Sequence, residues 1–292
     1  MKNKVLRITA ANNTIRGFFA DTTQMVEKAK VTHVTSPVAI AALGRTLTAT
    51  SIMGLMLKED HHKITVKING GGPLGTILAV GNARGNVKGY VGNPQVESTN
   101  IREGKLNVGA AVGTNGSITV IRDLGLRDPY VGSYQLTTGE IAEDFTAYFL
   151  HSEQQPSAVA LGVLVDTDYT IKAAGGFIIQ VMPDITEEVL VKLEAKLQQI
   201  ESITDLMKKG KTEADILQYV LGEFEPKVLE EYEVDFVCDC HEERLEKALI
   251  SIGSKDLQEI IEEDGGAEMV CHFCNKKYYF DKDHLTRLLE TI

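Results

Sequence analysis

All four cysteines of this chain fall in its last 55 residues, as two close pairs: Cys238-Asp-Cys240, then thirty residues, then Cys271-His-Phe-Cys274. Four thiolates in two pairs give the ligand number and softness that tetrahedral zinc takes. The second pair lies between two β-like runs, Ala267–Val270 and Lys277–Phe280, the setting in which a zinc knuckle presents two sulfurs. Between the pairs run two helical segments, Glu242–Ile250 and Asp256–Glu263. So short a stretch buries only a modest core, and a metal is a sensible source of its stability. One zinc ion per chain is therefore expected, held by Cys238, Cys240, Cys271 and Cys274. His241 and His272 adjoin cysteines. Four sulfurs already complete the shell, so both imidazoles are read as solvated.

Spacing alone leaves two uses of such a site open. One is a purely structural zinc ribbon. The other is a redox switch, because neighbouring thiolates can close on each other when oxidised, and a bond within a Cys-x-Cys ring is strained and easily reduced. Oxidation would also remove the metal, and structural zinc supplies roughly 10–16 kcal/mol of coupled folding energy. For a small unit of marginal stability a redox event is then a folding event.

Compartment bears on that choice. Met1–Arg7 is polar and basic, and Ile8–Ala11 is too short for the apolar core of a signal peptide. Pro37–Leu57 is apolar and about long enough to span a bilayer, but it carries Arg45 near its middle and many Thr and Ser. Ser36 before Pro37 is a good helix start, so this segment is read as a buried core helix. A cytoplasmic protein with no membrane partner is expected, where clustered cysteines signal metal or redox chemistry.

The net charge of −11 is lopsided. Residues 184–264 hold 23 acidic and 9 basic side chains, while the remainder holds 18 and 21. That acidic stretch would repel a polyphosphate, so no nucleic-acid partner is expected.

Three regions separate along the chain. Residues 1–183 alternate short β-like runs with glycine-rich turns: Lys63–Ile68, Thr76–Val80, Asn86–Val91 and Ser117–Ile121, with Asn115-Gly116 as a hairpin signal. Helices interrupt them at Pro37–Leu57 and at a capping pattern formed by Thr137 and Glu140. The fold class is α+β, with a mixed or antiparallel sheet in the N-terminal domain. Residues 184–231 form a helical linker: Ile185, Val189, Leu193, Leu197, Ile200, Ile203 and Leu206 recur at helical spacing up to Gly210. A second helix runs from Thr212 and Asp215 to Gly222. Helices this short are marginal alone, so this stripe must lie on the first domain. Residues 232–292 are the small zinc-binding domain.

Other patterns carry less. Gly70-Gly-Gly-Pro-Leu-Gly75 matches a dinucleotide fingerprint, but Pro73 and the β-branched run beyond it predict a hairpin where a helix would be needed. Glu140 and Asp144 lie a helical turn apart and are read as a solvated face, since no nucleophile accompanies them. His33, His61, His62 and His151 are scattered. With no catalytic constellation, the chain is not expected to be an enzyme.

Several blocks together resemble the redox-regulated heat-shock protein 33 chaperones of bacteria. They are Gly70-Gly-Gly-Pro-Leu74, Gly113-Thr-Asn-Gly116, Asp123-Leu-Gly125, Pro129-Tyr130, Thr138–Asp144, Ser152–Ala158, Phe236–Cys240 with Glu243-Arg244, and the run ending at Cys274. The resemblance spans the chain and includes every cysteine; His241 stands where the family often has Ser. It implies an ATP-independent holdase, silent when reduced and zinc-bound. On oxidation such a protein loses zinc, unfolds its C-terminal domain and linker, binds unfolding client proteins, and forms a homodimer. The implied disulfides are Cys238–Cys240 and Cys271–Cys274, one of three possible connectivities. The alternative from another class is a nucleic-acid-binding or regulatory zinc ribbon, against which the acidic surroundings argue.

Overall fold

The structure is a computed structural model and describes residues 3–97, 101–102 and 105–292. Its contacts divide the chain into two compact units, one ending at Val237 and one from Cys238 to Ile292.

The first unit is organised by helix Pro37–Leu55, the apolar segment noted above. It is apolar all round and buried nearly throughout, the signature of a core helix. Ser36 accepts a hydrogen bond from the Ala39 amide and Pro37 opens the first turn, as expected. Its threonines bond back along the helix. Thr46, Thr48 and Thr50 donate to carbonyls one turn back at 2.9, 2.9 and 2.7 Å. Arg45 donates through Nη1 to the Glu140 carboxylate at 2.8 Å and to its carbonyl at 3.2 Å. Gly54 has no alternative, because a Cβ there would lie 2.4 Å from the Asn82 carbonyl oxygen.

Two antiparallel five-stranded sheets pack against this helix. One runs Val87–Val91, Ile77–Asn82, Lys63–Asn69, Ser117–Asp123, Tyr130–Gln135 in spatial order. The other runs Ser157–Val165, Ile171–Val181, Ile15–Asp21, Lys4–Ala10, Lys227–Glu233. The strands that share a face of this second sheet split its side chains in two. Val5, Phe18 and Ile178 join the core around the long helix. Leu6, Ile8, Phe19, Phe177 and Ile179 point the other way and form a second core with helices Glu187–Leu197, Ile203–Lys208 and Glu213–Leu221.

The acidic helical stretch therefore covers one face of a sheet. Leu193, Ile203, Leu206, Ile216 and Val220 are buried there, while Val189, Leu197 and Ile200 are half-buried at its margin. Where one helix was expected from Asp184 to Gly210, the chain makes two. Ser202 accepts from the Asp205 amide and starts a new helix, and the cap of the preceding one is Thr186.

Further differences have local causes. Asn115-Gly116 does not join two paired strands; it follows helix Val108–Val112, and its Asn115 amide donates to the Gly70 carbonyl. The helix near Thr137 begins only at Ala142, and its cap is Asp144 folded back on the preceding loop. Strand Lys227–Glu233 pairs with Lys4–Ala10, aided by Lys4–Glu231 and Arg7–Glu230 ion pairs. Its run of glutamates hides the strand pattern, and charge on an edge strand blocks stray pairing. Val234 and Phe236 are also buried in the first unit, where Val87 pairs with Phe236. The compact body from Cys238 onward is thus six residues shorter than the 232–292 stretch read from sequence.

The second unit contains helices Glu242–Ser251 and Ser254–Glu263, a hairpin of Gly266–Val270 with Lys277–Asp281, and helix Lys282–Leu289. Its buried core is Leu249, Leu257, Ile261, Tyr278, Phe280, Leu285 and Leu288.

Candidate metal centre

The two cysteine pairs reach one point by different local devices. Cys271 and Cys274 sit in the hairpin turn. There the Cys274 and Asn275 amides donate to the Cys271 carbonyl at 3.2 and 2.7 Å, and the Cys271 amide donates to the Lys276 carbonyl at 3.0 Å. Asn275 closes the turn in the left-handed region at φ 57°, which its short polar side chain tolerates. Cys238 and Cys240 lie on extended chain just ahead of helix Glu242–Ser251.

All four Sγ atoms lie within 4.8 Å of one another. Cys238 and Cys271 are 3.7 Å apart, and Cys240 and Cys274 are 3.3 Å apart. A sulfur tetrahedron around zinc, with bonds of about 2.3 Å, has edges of about 3.8 Å. The donor set fits that ion in number, softness and spacing. In a tetrahedron each thiol neighbours the other three, so proximity alone does not select a disulfide pairing. His241 turns away: its ring is exposed and bonds the Asp239 carbonyl at 3.1 Å. His272 is exposed as well, and among the described residues the four-donor cluster contains cysteine alone.

The thiols are not equivalent. Burial pushes Cys238 and Cys274 up. Burial works on Cys240 in the same direction, but the Tyr278 hydroxyl and the neighbouring thiols bring it down to about 7. That hydroxyl donates to Cys240 Sγ at 3.3 Å and reaches the Cys240 carbonyl at 3.1 Å. Sequence reading missed Tyr278, although its place two residues past the turn, facing inward on a strand, is a usable signal.

Other singled-out residues do not gather into a site. Gly70–Gly75 joins two antiparallel strands, as the hairpin reading expected. Asp144 is not on a solvated face: it is fully buried and accepts from the amides of Thr137, Thr138, Gly139 and Ile141 at 2.7, 3.1, 3.4 and 3.0 Å. His33 lies edge-on to Phe236, His61 to His62, and His151 stacks on Tyr134.

Comparison with known proteins agrees along the whole chain. A family model described as Hsp33 protein matches residues 3–281. The 33 kDa chaperonin of Alkaliphilus oremlandii is 65% identical over 292 residues, covering 100% of this chain and 98% of its own. That of Bacillus subtilis is 50% identical over 284 residues, 97% of each chain. The crystal structure of the 33 kDa chaperonin (heat shock protein 33 homolog) of Thermotoga maritima superposes with a TM-score of 0.92 at 34% identity, covering 100% of this chain and 99% of that one.

Proposed function

The chain belongs to the Hsp33 family of chaperones, and from that premise we propose that it is a redox-controlled holdase, silent when reduced and active toward unfolding proteins when oxidised. The observation that carries this reading is the convergence of Cys238, Cys240, Cys271 and Cys274 in a stretch whose buried core is seven side chains. A zinc ion held by those sulfurs supplies no catalysis; it links the two ends of the stretch with roughly 10–16 kcal/mol of folding energy.

Peroxide takes two electrons from each thiolate pair. A sulfur–sulfur bond forms, the peroxide O–O bond breaks, and two protons complete two waters. Two peroxides serve four thiolates, in the pairing Cys238–Cys240 and Cys271–Cys274. A disulfide sulfur is a poor ligand, so oxidation dissolves the bracket and the compact body Cys238–Ile292 unfolds.

The chain running back from Cys238 passes Phe236, Val234 and strand Lys227–Glu233 before it reaches the helices of the linker, Glu187–Leu197, Ile203–Lys208 and Glu213–Leu221, which lie on the N-terminal domain, residues 1–183. Its apolar stripe at Leu193, Ile203 and Leu206 is covered at rest. Exposed on activation, it offers apolar surface to clients, while the acidic faces of the same helices keep the protein soluble. The oxidised form acts as a homodimer in the cytoplasm, without nucleic-acid or membrane partners.

The test follows light scattering of a thermally unfolding client with reduced and with peroxide-treated protein at equal concentration. Suppression by the oxidised form alone supports redox control. Equal suppression by both forms overturns it and leaves only the chaperone class.

A further inference from the structure

A second group of metal-type donors lies in the Cys238–Ile292 unit, apart from the thiols. Glu242 and Glu246 stand one turn apart on helix Glu242–Ser251, and His284 occupies the first turn of helix Lys282–Leu289. His284 Nε2 is 2.8 Å from Glu246 Oε1, and its Nδ1 is 3.7 Å from Glu242 Oε1. One donor atom from each residue lies within 4.8 Å of the others. The imidazole is not free to swing: its side chain is 22% exposed, that of Glu246 26%, and the Phe280 ring meets it edge-on at 5.1 Å.

A neutral imidazole has one N–H. Set between two carboxylates, it can donate to one of them only, and its other nitrogen turns a lone pair toward negative oxygen. Either a proton or a metal cation relieves that opposition. The surroundings favour a cation, since residues 238–292 hold 13 acidic and 7 basic side chains.

We propose that His284 Nε2 and the Glu246 carboxylate bind a divalent cation of the manganese or zinc class, with the Glu242 carboxylate 3.7 Å from the other ring nitrogen adding negative charge beside the site. Imidazole and carboxylate suit such an ion, and neither is oxidised by peroxide as thiolate is. The site joins the helix that follows Cys240 to the helix that follows the Cys271–Cys274 hairpin. It therefore braces the same two stretches as the thiols do, with ligands that survive oxidation. This site does not depend on the redox reading of the cysteines.

The experiment adds manganese(II) to reduced, zinc-loaded full-length protein and follows the free ion by electron paramagnetic resonance. Manganese does not displace zinc from thiolates. One equivalent is expected to bind, and His284→Gln or Glu246→Gln should weaken it by about tenfold or more. Glu259→Gln, an exposed carboxylate on the neighbouring helix, should change nothing. Retention of one zinc in each variant reports that the fold is intact. Should a variant lose its zinc, the unmodified protein decides: manganese should broaden the amide signals around Glu246 and His284 first. No uptake, uptake indifferent to both substitutions, or broadening centred elsewhere overturns the site and leaves His284 paired by a proton alone.

Discussion

The two compact units hold their folds by different means. The unit ending at Val237 wraps a buried, mostly apolar helix in two sheets and buries a second core on the far face of one of them. The unit from Cys238 onward buries seven side chains and gathers four thiols. In the first, burial of apolar surface dominates, and a buried carboxylate such as Asp144 is held by four backbone amides. In the second, burial is small against the entropy of ordering 55 residues, and a metal held by the four thiols would supply the difference. Stability built on burial is indifferent to oxidants. Stability built on thiolates is not.

The contrast breaks most visibly when the metal is removed. Chelation of the reduced protein should abolish hydrogen-exchange protection in helices Glu242–Ser251, Ser254–Glu263 and Lys282–Leu289, a loss of roughly 10–16 kcal/mol of coupled folding energy. Helix Pro37–Leu55 should keep its protection. Protection surviving in all four helices would mean that the small core suffices.

The next effect is smaller and falls in the other unit. Asp144→Ala leaves four amide donors without their acceptor and should cost about 3 kcal/mol or more. Urea unfolding followed by far-ultraviolet circular dichroism should show the lower midpoint, with zinc content unchanged. Zinc loss at that position would couple what the contrast keeps apart.

Between these lies the linker. Leu193 is 2% exposed and Leu197 half-buried on the first unit. Beside them an apolar groove of about 150 Å³ runs between this helix and strands Ser157–Val165 and Ile171–Val181, lined by Ala158, Ile179 and Leu190 among others. Packing along this contact is incomplete. Changing Leu193 and Leu197 to Ala should cost ~2–5 kcal/mol at the buried position and less at the other. Reduced, zinc-bound protein carrying both changes should then suppress client aggregation. Silence until oxidation, with unchanged linker exchange, would show that docking of this stripe is not the latch.

The smallest effect refines the metal centre. Tyr278→Phe removes the hydroxyl that holds the Cys240 thiol down at about 7. Without it that thiol rises, protons compete better for the ligand, and zinc should leave at a higher pH on acidification. The expected loss of affinity is about tenfold, read by a chromophoric zinc indicator across pH 5 to 8. An unchanged release curve would remove Tyr278 from the site.

Much of this was legible in the sequence where one residue type does one job. Ser36-Pro37 marked the start of the core helix, Thr212 with Asp215 capped Glu213–Leu221, and the paired cysteines marked the thiol cluster. What stayed hidden needed partners remote in the chain. Glutamates at 230 and 231 read as part of the helical linker until Lys4 and Arg7 appear beside them on a neighbouring strand. Asp144 read as surface because a carboxylate is buried only when amides converge on it, and the capping pattern at Thr137 and Glu140 gave no sign that the loop folds back onto Asp144.

One sample titrated with peroxide, in which released zinc, remaining free thiols and suppression of client aggregation are read together, tests the central claim most directly. The account expects four thiols lost and one zinc released per chain, with chaperone activity rising along the same curve. Full activity while zinc and thiols are intact, or complete zinc release without activity, would contradict it.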